Sequence, residues 1–269
     1  MNAVVFGARG QLGKELVRLL PGAGHPHVAI EDEQEVDTVL RSLRPDFVFN
    51  CAAYNAVDRA ETERDIAHAG NTVGPLILAT ACARHHARLV HFSTNYVFDG
   101  RLDRPYVETD EPAPLSVYGS AKRAGEEAVL GAAPDALVIR TAALYGGPNS
   151  FPSRILERAR SGQPLRVVAD QRVNPTYAKD LAVAATELAE EGAAGILHAV
   201  SEGCCGWDDF ARATLDELGV RVAVESVTSE AYPTPARRPL NGCLDSTRFH
   251  GLRPWREALG DWATTVKNP

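Results

Sequence analysis

The chain has no run that approaches the ~20 apolar residues of a membrane-spanning helix, and it has no Lys/Arg-rich tract. The first absence argues against a membrane partner. The second, with a net charge of -7, argues against nucleic acid as the main partner. Internal repeats and low-complexity tracts are absent too. The opening residues, Met1-Asn2-Ala3-Val4-Val5-Phe6, lack a basic region followed by a long apolar core. They do not read as a secretion signal, so a cytoplasmic location is expected. Cysteine is scarce: Cys51, Cys82, Cys204, Cys205 and Cys243 have no metal-ligand spacing. An odd count of this kind fits reduced thiols, with Cys204-Cys205 read as part of a loop rather than as a redox pair, and no metal is expected.

What is present fits an ordinary folded protein. The 269 residues are 45% apolar and 23% charged, enough for one large domain or two interleaved ones. Residues 2–6 form an apolar run, and Gly7-Ala8-Arg9-Gly10-Gln11-Leu12-Gly13 follows. An apolar-periodic segment through Leu16, Val17, Leu19 and Leu20 comes next. Strand, glycine turn and helix in this order suit a dinucleotide pyrophosphate, because the helix N-terminus offers free N–H groups and the positive end of its dipole. Arg9 fits a 2′-phosphate, which would favour NADPH, and equally a solvated surface charge. Further strands are expected at 28–30, 47–50, 89–92, 136–140 and 165–168. Helices are expected at 33–43, 151–160, 178–190 and around Trp255–Trp262, with a helical region at 58–84 interrupted near Gly70, Gly74 and Pro75. Alternation of this kind predicts an α/β fold with a parallel sheet. Cys51-Ala52-Ala53-Tyr54 and Ser93-Thr94-Asn95-Tyr96 then fall at the C-terminal ends of two strands, where such sheets bind ligands. Arg237-Arg238 could meet phosphate or form a solvated loop.

Tyr118 and Lys122 are four residues apart in a helix-favouring segment that Ser116 can cap. One turn apart on one face, they form a pair in which the ammonium is expected to lower the phenol pKa. A Tyr so placed can pass a proton to or from an oxygen that changes between carbonyl and hydroxyl.

Motifs in order along the chain add a family resemblance. Gly10–Gly13 reads GQLG, 50–61 reads NCAAYNAVDRAE and 93–100 reads STNYVFDG. Further on, 114–122 reads PLSVYGSAK, 170–176 reads DQRVNPT and 238–244 reads RPLNGCL. This set resembles the dTDP-4-dehydrorhamnose reductase family of extended short-chain dehydrogenases/reductases. The resemblance implies a Rossmann-type doubly wound parallel sheet with a smaller mixed α/β C-terminal substrate-binding region. Residues 1–145 and 176–194 would form the NAD(P)-binding part, and 146–175 and 195–269 would form mainly the substrate region. The implied reaction is reduction of the C4 keto group of a nucleotide-linked 4-keto-6-deoxy sugar by NADPH, with NADH possible. Thr94, Tyr118 and Lys122 would be catalytic. Gly7, Gly10, Gln11, Leu12, Gly13, Asp32, Ala52, Ala53, Tyr54, Ser93, Tyr118 and Lys122 would hold the cofactor. Thr94, Tyr96, Tyr118, Arg238 and Asn241 would hold the substrate.

The departures from the family pattern matter. Ala143 stands where the family commonly has Trp, Asn95 where it has Asp and Val173 where Gly is frequent, and segment 21–36 looks short. Some relatives need Mg²⁺ at a dimer interface. Glu15 matches one acidic position there, without a full ligand set. A homodimer is compatible with the apolar helix faces. The alternatives are reduction of another dTDP-4-keto sugar, an NAD-dependent sugar-nucleotide epimerase or dehydratase, and a non-catalytic subunit resembling the regulatory subunit of methionine adenosyltransferase.

Overall fold

The apolar tetrapeptide Ala3–Phe6 forms strand β1 of the computed structural model, which describes residues 1–267. Helix α1 (Gln11–Leu19) follows the glycine turn, and α2 (Glu33–Leu43) leads to β2 (Phe47–Asn50). A helical run with α3 (Arg64–His68) and α4 (Gly74–His85) leads to β3 (Arg88–Thr94). Then come α5 (Val117–Ala132), β4 (Leu137–Thr141) and β5 (Leu144–Tyr145). The chain continues through α6 (Phe151–Arg160), β6 (Leu165–Val168), β7 (Arg172–Val173), β8 (Thr176–Tyr177) and α7 (Ala178–Glu190). Last come β9 (Gly195–His198), β10 (Ser201–Glu202), β11 (Cys205–Gly206), α8 (Trp207–Leu218), β12 (Val224–Val227), β13 (Leu252–Pro254) and α9 (Trp255–Lys267).

The main sheet is parallel in the order β1-β2-β3-β4-β9, with Val4 opposite Val48, Val48 opposite Leu89 and Ile139 opposite Leu197. These strands are apolar on both faces because helices cover both. On one face Leu12 and Leu16 of α1 and Leu181, Ala185 and Leu188 of α7 pack on Val5, Phe49, Val90 and Ile139. On the other, Val36, Leu40, Leu78, Cys82 and Val129 pack on Val4, Phe6, Val48 and Val138. This is the expected α/β doubly wound sheet.

The expected strand at 28–30 does not form. A single bridge between Gly24 and Val4 takes its place on the outer side of β1. Pro26 follows two residues later, and it lacks the N–H a ladder needs. The chain thus leaves β1 outward to Gly24 and returns through α2 to β2 on the other side. That reversal places a topological switch point between β1 and β2, where open sheets bind ligands.

The expected break near Gly70 and Pro75 is not a break. The chain stays helical from α3 to α4 through a π turn at Ala69–Val73, and Pro75 sits in the first turn of α4, where no N–H is needed. Asn71 in that turn holds the backbone of Tyr54 from both sides, accepting from its N–H and donating to its carbonyl, each at 2.9 Å. The run Arg64–His85 is long and apolar enough to cross a membrane, contrary to the expectation that no stretch comes near that length. Half of its most apolar window is buried, which marks it as a core helix.

A third core joins the C-terminal elements. Phe210 lies at its hub, with ring centroids 5.4 Å from Tyr145, 5.2 Å from Phe151 and 5.9 Å from Trp255. Cys204 and Cys243 are joined as a disulfide with Cα atoms 6.0 Å apart. This corrects the expectation of reduced thiols throughout: the partner of Cys204 is 39 residues away rather than next to it.

Candidate active site

Helix α5 owes its position to its first turn. Ser116 Oγ accepts the Gly119 N–H at 3.1 Å, and Glu61 accepts the Val117 N–H at 2.9 Å. Gly119 rests against the main chain of Tyr96; a Cβ there would lie 2.3 Å from the Tyr96 carbonyl oxygen. That close approach brings Tyr118 and Lys122 against the end of β3. Both line one cavity of about 460 Å³ at the C-terminal ends of the strands, together with Gly10–Gly13, Asn50–Ala53, Ser93–Tyr96 and Thr141–Leu144.

Tyr118 is 8% exposed, with the Thr94 hydroxyl beside its phenol on the same cavity wall. Burial pushes the phenol up to about 12, with the Thr94 contact opposing that rise. The expectation that Lys122 lowers the Tyr118 pKa is therefore corrected. Lys122 Nζ donates to the Phe92 carbonyl at 2.6 Å instead of acting on the phenol. Burial brings the ammonium down to about 8. A protonated phenol suits an acid, the form needed to reduce a carbonyl.

Thr94 Oγ accepts the Tyr96 N–H at 3.2 Å, so the turn after β3 fixes it. The Tyr96 ring meets the Tyr118 ring edge-on at 5.6 Å. Ser93 lines the cavity, but its hydroxyl donates to Glu126 at 2.6 Å. Glu126 is fully buried and paired with Arg140, with contacts of 2.8 and 2.7 Å.

The glycine turn fits a pyrophosphate. Helix α1 has no side-chain cap, and its first backbone bond runs from Lys14 N–H to the Gly10 carbonyl at 3.0 Å. The N–H groups of Gln11, Leu12 and Gly13 have no helical partner at the wall they line. Among the described residues Thr141 Oγ, on the same cavity, is buried without a hydrogen-bond partner. Gly7 does not line the cavity. With φ at 74° it packs under the turn, where a Cβ would lie 2.4 Å from Ala52 N. The Gln11 side chain ties the turn to the chain after β4, donating to the Leu144 carbonyl at 2.9 Å and accepting the Gly147 N–H at 3.2 Å.

Ala52 and Ala53 also border a neighbouring cavity of about 260 Å³ with Val28–Glu31 and Gly70, and Tyr54 lines this second cavity but not the first. Asp32 borders neither cavity. Its carboxylate caps α2 by accepting the Glu35 N–H at 2.9 Å, and Glu31 holds the cavity position instead. Arg9 is exposed and lines neither cavity.

Arg238 and Asn241 lie on a third cavity of about 520 Å³ with Arg101, Arg172 and Arg237. Arg238 donates to both Asp58 carboxylate oxygens at 3.0 and 2.9 Å and lies beside Tyr96, a residue of the first cavity. Asn241 is engaged by the main chain, donating to the Leu102 and Arg104 carbonyls at 2.7 and 2.8 Å.

Sequence reasoning missed the far wall of the main cavity. Phe151 and Arg154 of α6 and Trp207 of α8 line it opposite the β3 end. The Phe151 and Trp207 rings lie 4.7 Å apart. Ala143 lines the same cavity with φ at 41°, so aromatic surface comes from α6 and α8 rather than from position 143.

With this geometry in hand, a family model decides the assignment: that of the RmlD substrate binding domain matches residues 1–268. The chain belongs to that family. Among its relatives, this family member is 43% identical to a dTDP-4-dehydrorhamnose reductase of Mycolicibacterium smegmatis, covering 98% of this chain and 85% of the relative. It is 41% identical to a probable dTDP-4,6-dihydroxy-2-methyloxan-3-one 4-ketoreductase of Streptomyces antibioticus, covering 96% and 93%. The crystal structure of a dTDP-4-dehydrorhamnose reductase of Bacillus anthracis in complex with NADP superposes with a TM-score of 0.95 at 32% identity, covering 98% of each chain.

Proposed function

We propose that this chain is a cytoplasmic NAD(P)H-dependent oxidoreductase that reduces the C4 keto group of a dTDP-linked 4-keto-6-deoxy sugar, dTDP-4-dehydro-L-rhamnose first among them. The observation that carries this reading is the buried Thr94–Tyr118 hydroxyl pair with Lys122 in one cavity, opposite an uncapped helix N-terminus. The named relatives support it over nearly the whole chain. Residues 1–145 and 176–194 would hold the cofactor. Residues 146–175 and 195–269 would hold the sugar nucleotide, the last two of them lying outside the described residues.

The bound dinucleotide supplies the hydride. The chain supplies position and a proton. The N–H groups of Gln11, Leu12 and Gly13 hold the pyrophosphate. The Thr94 hydroxyl donates to the substrate carbonyl oxygen and orients it. Tyr118, kept protonated by burial, gives that oxygen its proton as negative charge develops there. Lys122 stands behind it as a nearby source of protons. Tyr96 and Arg238 lead from this point to the arginine-lined cavity, which suits the diphosphate of the sugar nucleotide.

Two observations bear on the choices left. Ala143 in place of a bulky ring, with Trp207 and Phe151 across the cavity, favours testing a second dTDP-4-keto sugar beside the first. Glu31 at the adenosine end suits the free ribose hydroxyls of NADH better than a 2′-phosphate, although the Bacillus anthracis protein was solved with NADP. The test is substrate-dependent oxidation of NADPH and NADH with both sugars. Turnover by the wild-type protein and its loss in Tyr118→Phe are expected. Cofactor binding without turnover on any keto sugar would overturn the reading.

A further inference from the structure

His91 has no part in the site as described so far, yet it lies directly behind it. It is fully buried in β3, and its Nε2 lies 3.4 Å from Lys122 Nζ. Its Nδ1 lies 3.0 Å from Asn50 Nδ2 at the end of β2. The Asn50 amide is not free to turn over, because its Oδ1 accepts the Ala52 N–H at 3.1 Å. Asn50 Nδ2 therefore donates to His91 Nδ1, and a ring nitrogen that accepts carries no proton. Burial and the neighbouring Lys122 keep the ring neutral. Its one proton is then on Nε2, aimed at Lys122.

That N–H discriminates between the two forms of the lysine. Against an ammonium, two donors face each other. Against a neutral amine, the N–H finds a lone pair and makes a hydrogen bond. A hydrogen bond made only to the neutral form favours that form. We propose that His91, locked by Asn50 in its Nε2–H tautomer, is a positioning residue that readies Lys122 to release a proton to the Tyr118 side of the cavity.

This inference rests on the reductase reading, and its protons balance as follows. Tyr118 gives its phenol proton to the C4 oxygen and is left as phenolate. The Lys122 ammonium returns a proton to it across a bridging water or hydroxyl. The amine that remains accepts from His91 Nε2–H and then regains a proton from water. No electrons move in these steps.

The other groups around Lys122 do not take this role. Cys51 faces it from the chain after β2, with a thiol that burial holds in the neutral form. Tyr118 and Glu126 are on its own helix, and the Glu126 charge is engaged by Arg140 and Arg123. Among the described residues His91 is the titratable side chain within hydrogen-bond distance of Nζ.

The test reads tautomer and titration rather than turnover. Nitrogen-15 NMR of histidine-labelled wild-type protein should show His91 protonated on Nε2; a proton on Nδ1 would overturn the proposal. The chain has only four lysines, so lysine-labelled protein resolves Lys122, assigned by its loss in Lys122→Arg. In His91→Gln, which offers the ammonium an acceptor oxygen, the proton affinity of Lys122 should rise about tenfold, or ~1 pH unit in midpoint. His91→Phe, which removes the N–H, should move it the same way. The alkaline limb of turnover should follow while KM for the sugar nucleotide stays put. An unchanged Lys122 midpoint in a folded variant would refute the role of His91. Because the tautomer and Lys122 titration readouts need no substrate, a wild-type protein with the expected tautomer but no keto-sugar turnover would count against the reductase reading alone.

Discussion

Arg140→Met tests the buried charge network that holds the β3 end in place. Arg140 is 1% exposed and Glu126 0%. The guanidinium grips both carboxylate oxygens, Nε at 2.8 Å and Nη2 at 2.7 Å. Breaking such a pair from one side leaves an uncompensated buried charge and costs about 3–5 kcal/mol. Two contacts remain to Glu126: Ser93 at 2.6 Å and Arg123 at 3.1 Å. The Arg123 side chain is 27% exposed and shared with Glu127, so it softens the loss only in part. The lower end, about 3 kcal/mol, is expected. With an unfolding entropy of about 2.1 cal/mol/K per residue, that is a fall in Tm of roughly 5 °C for the whole chain. The double variant Arg140→Met/Glu126→Leu removes both charges and should recover most of it. The partner Arg140 holds the Glu126 carboxyl below its usual 4.5, against the opposing effect of burial. A depressed folded-state pKa gives stability that is present above 4.5 and is lost as pH falls through the folded value, so the gap between wild type and Arg140→Met should close only in acid. Differential scanning calorimetry at neutral and acid pH checks both points. A single variant within ~1 °C of wild type at neutral pH would refute the reasoning, since that is well inside the ~5 °C worked out above.

Three further outcomes are expected. Trp207→Ala should raise KM for the sugar nucleotide while leaving NAD(P)H affinity near wild type, measured by steady-state kinetics and by cofactor fluorescence titration; equal losses in both would place Trp207 elsewhere. Glu31→Gln removes a negative charge beside the expected 2′-phosphate position and should raise the NADPH-to-NADH preference roughly tenfold, read from kcat/KM with each cofactor. Mild reduction of Cys204–Cys243 should lower stability by up to ~4 kcal/mol, the chain-entropy value for a loop of this length. Urea unfolding with and without dithiothreitol measures it, and Cys204→Ser should abolish the difference.

Most of the fold was legible because its signals are local. Apolar runs marked β1 to β4, the Ser116 cap helped to mark α5, and helical composition marked α2, α6 and α7. The segment at 28–30 was misread because three apolar residues do not make a strand when the sheet edge is met earlier, at Gly24. Cys204 and Cys243 meet through tertiary contact, which cysteine counting does not see. Within the site, the motifs around Thr94, Tyr118 and the glycine turn converge on one cavity. The far wall was not legible: Phe151 and Trp207 read as ordinary helix residues, and a drop from Trp to Ala at 143 gave no hint of where the aromatic surface lay. Asp32 and Glu31 are neighbours, and only the backbone decides which caps α2 and which faces the cavity. The Tyr118–Lys122 spacing suggested a direct electrostatic effect. Burial governs the phenol, and the Phe92 carbonyl takes the lysine instead.

The most direct test of the central claim is absorbance at 340 nm during incubation with dTDP-4-dehydro-L-rhamnose and NADPH or NADH, run beside Tyr118→Phe. The account predicts substrate-dependent loss of reduced cofactor by the wild-type protein, slowed roughly 10²–10⁴-fold in the variant, which still binds cofactor. Wild-type turnover in Tyr118→Phe would contradict it.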